Sequence, residues 1–186
     1  MKNVLIGGIG SILLGDDAVG PYVTKLLSAR YEFEGGVEVI DLGTPALDLV
    51  ELISNRDAVI LIDCVNKDCA DTSAESGTVL LYRREDIVRL SPGVRMDPHS
   101  PALVETLLIA DFLGVSPQNL LLVGIAAKSF AAGSDLSDPV KASVDHAIAQ
   151  IFSELDRLNV TYKHREKPLD LGIWWASGHP MPALAD

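Results

Sequence analysis

Residues 7–20 read GGIGSILLGDDAVG and follow directly on the apolar run Val4-Leu5-Ile6. A glycine-rich loop leaving a short apolar run usually cradles a phosphate or a dinucleotide. This loop fits neither pattern. Counting from Gly8, a dinucleotide fingerprint finds Gly8 and Gly10, then Leu13 where its third glycine belongs. The phosphate-cradling spacing is met by Gly10 and Gly15, but Asp16 and Asp17 stand where a lysine and a hydroxyl residue belong. Two carboxylates there repel phosphate at close range. The charge of the loop points to a cation instead.

Outward from the loop, strand-like and helix-like segments alternate. Residues 3–6 read as a strand, and residues 20–30 carry helical spacing, with Pro21 in the first turn where a missing N–H costs nothing. Residues 37–40 form a second strand ending at Asp41, residues 45–53 a helix, and residues 58–62 (AVILI) a third strand ending at Asp63. Further strands are expected at 78–82 and 120–125. Helices are expected at 100–113, with Ala102, Val104, Leu107, Leu108 and Phe112 available for the buried face, and at 138–158. This alternation predicts an α/β fold with a mostly parallel sheet. Continuously apolar strands fit a sheet covered on both faces.

Composition sets the remaining bounds. A chain of 186 residues suits one domain with a substantial core. Its formal charge of −11 and lack of a basic patch argue against nucleic-acid binding. No apolar run approaches the roughly 20 residues of a membrane span, and the start of the chain does not look like a secretory signal. Two cysteines, Cys64 and Cys69, make no disulfide framework, so a cytoplasmic location is expected. Beyond Leu158 the periodicity stops. We expect a domain over residues 1–158 and an extension over 159–186, part of which docks through Trp174 and Trp175.

Parallel strands bring their carboxyl ends to one edge of the sheet, where ligands of open α/β folds bind. Asp16/Asp17, Asp41 and Asp63 all fall at such ends. Each is also a residue type that forms turns or caps helices, and Asp16 is well placed to cap the helix that follows. His99, just before a helix, is disfavoured as imidazolium by the helix dipole, and a neutral imidazole is the form that binds metal. Asp17, Asp63 and His99 together make a two-carboxylate, one-imidazole set suited to a divalent transition metal. His146 reads as an ordinary helix residue, and Cys64 as a small buried one.

These residues resemble the hydrogenase maturation endopeptidases, which remove a C-terminal extension from the large subunit of nickel–iron hydrogenases after nickel insertion. The resemblance rests on the run from Gly8 to Gly20, then Asp41-Leu42-Gly43-Thr44-Pro45, Ile62-Asp63, His99, Gly124-Ile125 and Gly133-Ser134-Asp135-Leu136-Ser137, in that order. It implies a single three-layer α/β domain with helices on both faces of a twisted sheet. It also implies metal contacts at Asp17, Asp63 and His99, with nickel supplied by the precursor subunit rather than held as a permanent cofactor. Hydrolysis would use a metal-activated water or an aspartate base: Asp17, Asp63 or the neighbouring Asp16. Departures from the family pattern include Ser11 in place of a frequent Asn, Cys64 after Asp63, a longer segment at 66–76, and the extension after Asn159. Two other readings stay open: a different peptidase on this fold, and a non-catalytic nickel-handling or assembly module for the same subunit.

Overall fold

The computed structural model describes residues 2–33, 35–65, 74–89 and 103–170. Strand β1 (Val4–Ile9) is buried along its whole length and leads through the glycine loop and a 3-10 turn (Gly15–Ala18) into α1 (Val19–Arg30). Then follow β2 (Tyr31–Phe33), β3 (Val37–Gly43), α2 (Asp48–Ile53) and β4 (Ala58–Val65), the last also wholly buried. The chain continues through β5 (Val79–Arg83), α3 (Arg84–Arg89), α4 (Leu103–Phe112), β6 (Asn119–Ala126), α5 (Asp138–Arg157) and β7 (Tyr162–His164).

Five strands form one sheet in the order β3-β1-β4-β6-β5. The first four are parallel, and β5 closes the edge antiparallel to β6. One core lies between the sheet and α1 and α5; it holds Ile6, Ile60, Ile62 and Val123 among others. A second core, with Leu5, Leu61 and Leu122, lies on the opposite face under α2, α4 and Ile87 of α3. This is the expected three-layer α/β domain. Strands buried on both faces explain why β1 and β4 read as continuous apolar runs. No helix among the described residues is long and apolar enough to cross a membrane.

Two glycines set how closely α1 approaches the sheet. A Cβ on Gly20 would lie 2.2 Å from the Ile9 carbonyl oxygen and 2.6 Å from that of Ile62. A Cβ on Gly8 would lie 2.3 Å from the Gly20 carbonyl oxygen. The first turn of α1 therefore rests directly on the backbones of β1 and β4, beside the edge where the acidic residues gather.

Three features depart from the sequence expectations. Helix α4 buries Val104, Thr106, Leu107 and Ala110, while Leu108 and Phe112 point outward, Phe112 at 90% exposure. The helix is apolar on nearly every side, so spacing alone cannot select the face that packs. Helix α3 was not expected; only Ile87 of its six residues is buried. Finally, the segment after Leu158, where the sequence shows no strand periodicity, includes strand β7 and packs on the domain. Val160 belongs to the first core, and β7 pairs antiparallel with β2. Tyr162 stacks on Phe152 of α5 at 4.3 Å between ring centroids, and Tyr31 meets Phe152 edge-on at 4.6 Å. Aromatic packing, rather than periodicity, holds this segment to the domain. Beyond it, the Arg165 and Leu169 N–H groups donate to the carbonyls of Arg30 and Ala29. Trp174 and Trp175 lie outside the described residues.

Candidate active site

The site begins where β1 ends. Gly10 has a φ of +130°, a conformation open to glycine and strained for other residues. A Cβ there would fall 1.8 Å from the Asp17 carbonyl oxygen. The Gly10 N–H donates to the Gly43 carbonyl at 2.8 Å, which ties the loop to the end of β3. The loop then closes on itself: the Ser11 N–H donates to Asp17 Oδ2 at 2.7 Å, and the Asp17 N–H to the Leu14 carbonyl at 3.1 Å. These bonds fix Asp17, which is 1% exposed, at the crest of the sheet.

Asp16 turns away from this loop. Its Oδ2 accepts from the Lys128 N–H (2.8 Å), the Ser129 N–H (2.9 Å) and the Ser137 hydroxyl (2.9 Å). Its Oδ1 accepts from the Ser137 N–H at 2.6 Å. The expectation that Asp16 caps the following helix is corrected here, since the N-terminus of α1 has no side-chain cap. Asp16 instead fastens the 128–137 connection to the glycine loop. Fully buried and accepting four hydrogen bonds, its carboxylate is a structural clamp, which argues against a role as general base. The sequence singled out Ser137 only as part of a resembling motif. Its place just before Pro139 and the last helix is the signal that marks a helix N-terminus.

Asp63 sits near the end of β4, level with Gly124 of β6, and is 4% exposed. Its Oδ1 accepts from the Cys64 N–H at 2.7 Å. Along β4, Ile60, Ile62 and Cys64 belong to the first core, and Val59 and Leu61 to the second. Alternation therefore aims Asp63 toward the face that carries α2 and α4. Cys64 is a buried core residue, as its sequence context suggested.

Asp41 departs from this group. It is level with Gly8 of β1, as is Ile62 of β4 on the other side. Its strand neighbours Val37 and Val39 pack against the first core, so Asp41 belongs to the α1 face and is exposed. The structure thus brings Asp17 and Asp63 to the ends of adjacent strands and leaves Asp41 on the other side of β1. His99, the third expected ligand, lies outside the described residues.

Asp17 and Asp63 are hard oxygen donors, each oriented by a backbone N–H, and their joint negative charge favours a divalent cation. Among the described residues, no three His, Cys, Asp or Glu side chains converge on one metal position.

The fold is a three-layer α/β domain whose glycine loop carries two buried aspartates. The model of the hydrogenase maturation protease family matches residues 21–154, and the chain belongs to that family. The match begins just past the glycine loop and spans Asp63 and His99. The Hydrogenase expression/formation protein HoxM of Azotobacter vinelandii is 31% identical over 192 residues, covering 98% of this chain and 90% of its own length. The Hydrogenase 2 maturation protease of Escherichia coli is 30% identical over 164 residues, covering 88% and 97% respectively. The solved structure of the hydrogenase maturating endopeptidase HybD from E. coli superposes with a TM-score of 0.79 at 29% identity, covering 88% of this chain and 98% of its own. The extension after Asn159 therefore does have a counterpart: the HoxM alignment runs into it.

Proposed function

We propose that this protein is an endopeptidase that removes the C-terminal extension of a nickel–iron hydrogenase large-subunit precursor after nickel has been inserted. It recognises the nickel carried by that precursor. The observation that carries the reading is the pair of buried, backbone-oriented carboxylates, Asp17 and Asp63, on adjacent strand ends in a chain of the maturation protease family. Asp17, Asp63 and His99 are the residues that would meet the nickel, whose positive charge their carboxylates favour. Cleavage is then tied to completed insertion, because a precursor without nickel lacks the docking point.

Hydrolysis needs an activated water and a polarised carbonyl. The precursor's nickel, when held by these residues, would supply Lewis acidity for activating water; alternatively Asp17 or Asp63 takes the water's proton as general base. The saturated hydrogen bonding of Asp16 favours these two over it. The reaction needs no permanently bound cofactor in this reading, and the protein works in the cytoplasm.

The test is the intact mass of the precursor subunit, nickel-loaded and nickel-free, incubated with and without this protein. The reading expects shortening of the nickel-loaded form alone. Shortening of both forms would identify a peptidase indifferent to the metal. Binding with no change of length would identify an assembly module.

A further inference from the structure

On the reading of this chain as a maturation protease, we propose that the cleft beside the glycine loop receives one large apolar side chain of the precursor, close to the scissile bond, and that Ile12 and Leu13 select it. The cleft, of about 350 Å3, lies between the loop and the end of β3 and is lined by Ser11, Ile12, Leu13, Asp41 and Thr44. Ile12 and Leu13 are its large apolar residues, left 40% and 51% exposed.

Their exposure is built into the loop. The Leu13 N–H donates to the Ser11 hydroxyl at 3.3 Å, and the Leu14 N–H to the Ser11 carbonyl at 3.2 Å. From the other side, the Gly133 N–H donates to the Leu13 carbonyl at 2.9 Å. Two large apolar side chains are thus exposed on a backbone that is already fixed. They gain by leaving water when a partner covers them, and little ordering entropy opposes it. The cleft is also continuous with the candidate site. Ser11, in its lining, gives its N–H to Asp17 Oδ2, and Gly10, also in the lining, packs against the Asp17 carbonyl. A chain seated in the cleft therefore runs alongside the turn that orients Asp17.

Charge decides which side chains fit. Asp41 is the one charged residue in the lining, and the whole chain carries a formal charge of −11. An acidic side chain would give up hydration there and meet like charge, whereas an apolar one meets Ile12 and Leu13. The exposed apolar patch of α4, Leu108, Ile109, Phe112 and Leu113, is no rival for the same stretch of substrate. Just past that patch, the Val115 carbonyl accepts from the Asn55 N–H, three residues before β4 begins at Ala58, whereas Asp63 lies near the other end of that strand.

The experiment follows a nickel-loaded large-subunit precursor in two ways, by intact mass and by its affinity for the full chain in titration calorimetry. The mass of the shortened subunit locates the scissile bond, and with it the large apolar residue nearest to that bond. The double variant Ile12→Ser/Leu13→Ser should weaken binding at least about ten-fold and slow processing of dilute precursor in proportion. Replacing the precursor's apolar residue by Asp should give the same loss with the parent protein. Combining the two changes should add little, the mark of two groups in one contact. Leu108→Ser/Phe112→Ser on α4 should leave both readouts unchanged. Far-UV circular dichroism checks that the loop variant is folded, and Leu13→Ser alone serves if it is not. Unchanged affinity of the loop variant, full additivity of the two changes, or an equal loss in the α4 variant overturns the proposal. So does a dimer in sedimentation that the loop variant breaks, which would give the cleft to a second copy. A parent that binds the precursor without shortening it ends the peptidase reading, and the affinity of the loop variant then still decides whether the cleft holds the precursor.

Discussion

Ser137 donates to Asp16 twice, through its N–H at 2.6 Å and its hydroxyl at 2.9 Å, across 121 residues of sequence. With the Lys128 and Ser129 amides on the same carboxylate, this joins the glycine loop to the connection between β6 and α5. Asp16 and Asp17 are neighbours in sequence with separate bonding: one holds two parts of the domain together, the other accepts the Ser11 N–H within the glycine loop.

That division predicts how their variants differ. Asp16→Asn keeps the size but places an NH2 group among four donors and removes the charge that strengthens their bonds. Hydrogen bonds to a buried charged group contribute about 1.5–3 kcal/mol each, and an unmet buried donor costs about 1–3 kcal/mol. Asp16→Asn should therefore lose at least about 2 kcal/mol in urea unfolding, with any fall in processing accompanying lost stability. Unchanged unfolding would show that the clamp contributes nothing.

Asp17→Asn and Asp63→Asn should behave the other way. Each keeps an oxygen able to accept the backbone N–H of Ser11 or Cys64, so the unfolding midpoint should move little. Each removes a negative ligand from the candidate site and a candidate base, so precursor processing should fall by at least about 100-fold. Near-normal processing by either variant would remove that residue from the site.

Gly10 and Gly43 supply a matched pair for the loop. Both have positive φ, +130° and +59°, so Ala carries a backbone cost at each. Only at Gly10 would the added Cβ collide, with the Asp17 carbonyl; at Gly43 nothing lies within 4 Å. Gly43→Ala should cost about 1 kcal/mol and leave processing largely intact. Gly10→Ala should shift Asp17 and reduce processing far more than its loss of stability explains. Equal effects of the two on processing would mean that the approach of Gly10 to Asp17 does not position the site.

Much of this arrangement is legible in the sequence because it is local. The buried runs of β1 and β4, the glycine loop and the acids at strand ends each announce themselves within a few residues. What is missed depends on distant partners. The partners of Asp16 lie 112 to 121 residues away, so nothing beside it distinguishes a clamp from a helix cap. The outward turn of Phe112 depends on which side of an all-round apolar helix meets the sheet. Strand β7 has three residues, too few for a period, and is held by Tyr31 and Phe152. The separation of Asp41 from Asp63 follows from side-chain alternation, which places them on opposite faces of the sheet even though both lie two residues before the end of a strand.

The last prediction concerns a carboxylate outside the site. Glu154 of α5 is 3% exposed and is gripped by two arginines. Arg83 reaches it through Nη1 and Nη2 at 3.0 and 2.8 Å, and Arg157 through Nε and Nη2 at 2.9 and 2.7 Å. Burial alone would push this carboxyl upward, but the hydrogen bonds and charges of Arg157 and Arg83 outweigh it and hold the pKa down to about 2. A carboxyl depressed on folding from its ordinary value of 4.5 stabilises the native state above that value. The contribution is lost as the pH falls toward 2; at neutral pH, discounted for the solvent screening of the half-exposed Arg83 and Arg157, it amounts to about 2–3 kcal/mol. Glu154→Gln should therefore unfold more easily than the parent by about that much at pH 7. The gap should narrow steadily below pH 4.5 and nearly close by pH 2. Arg83 is level with Leu121, three residues along β6 from Gly124, the partner of Asp63, and Glu154 lies on α5, on the sheet face opposite that of Asp63, so processing at neutral pH by the folded variant should match the parent. A stability gap that stays constant across this range would show that the carboxylate's charge is not what the two arginines hold.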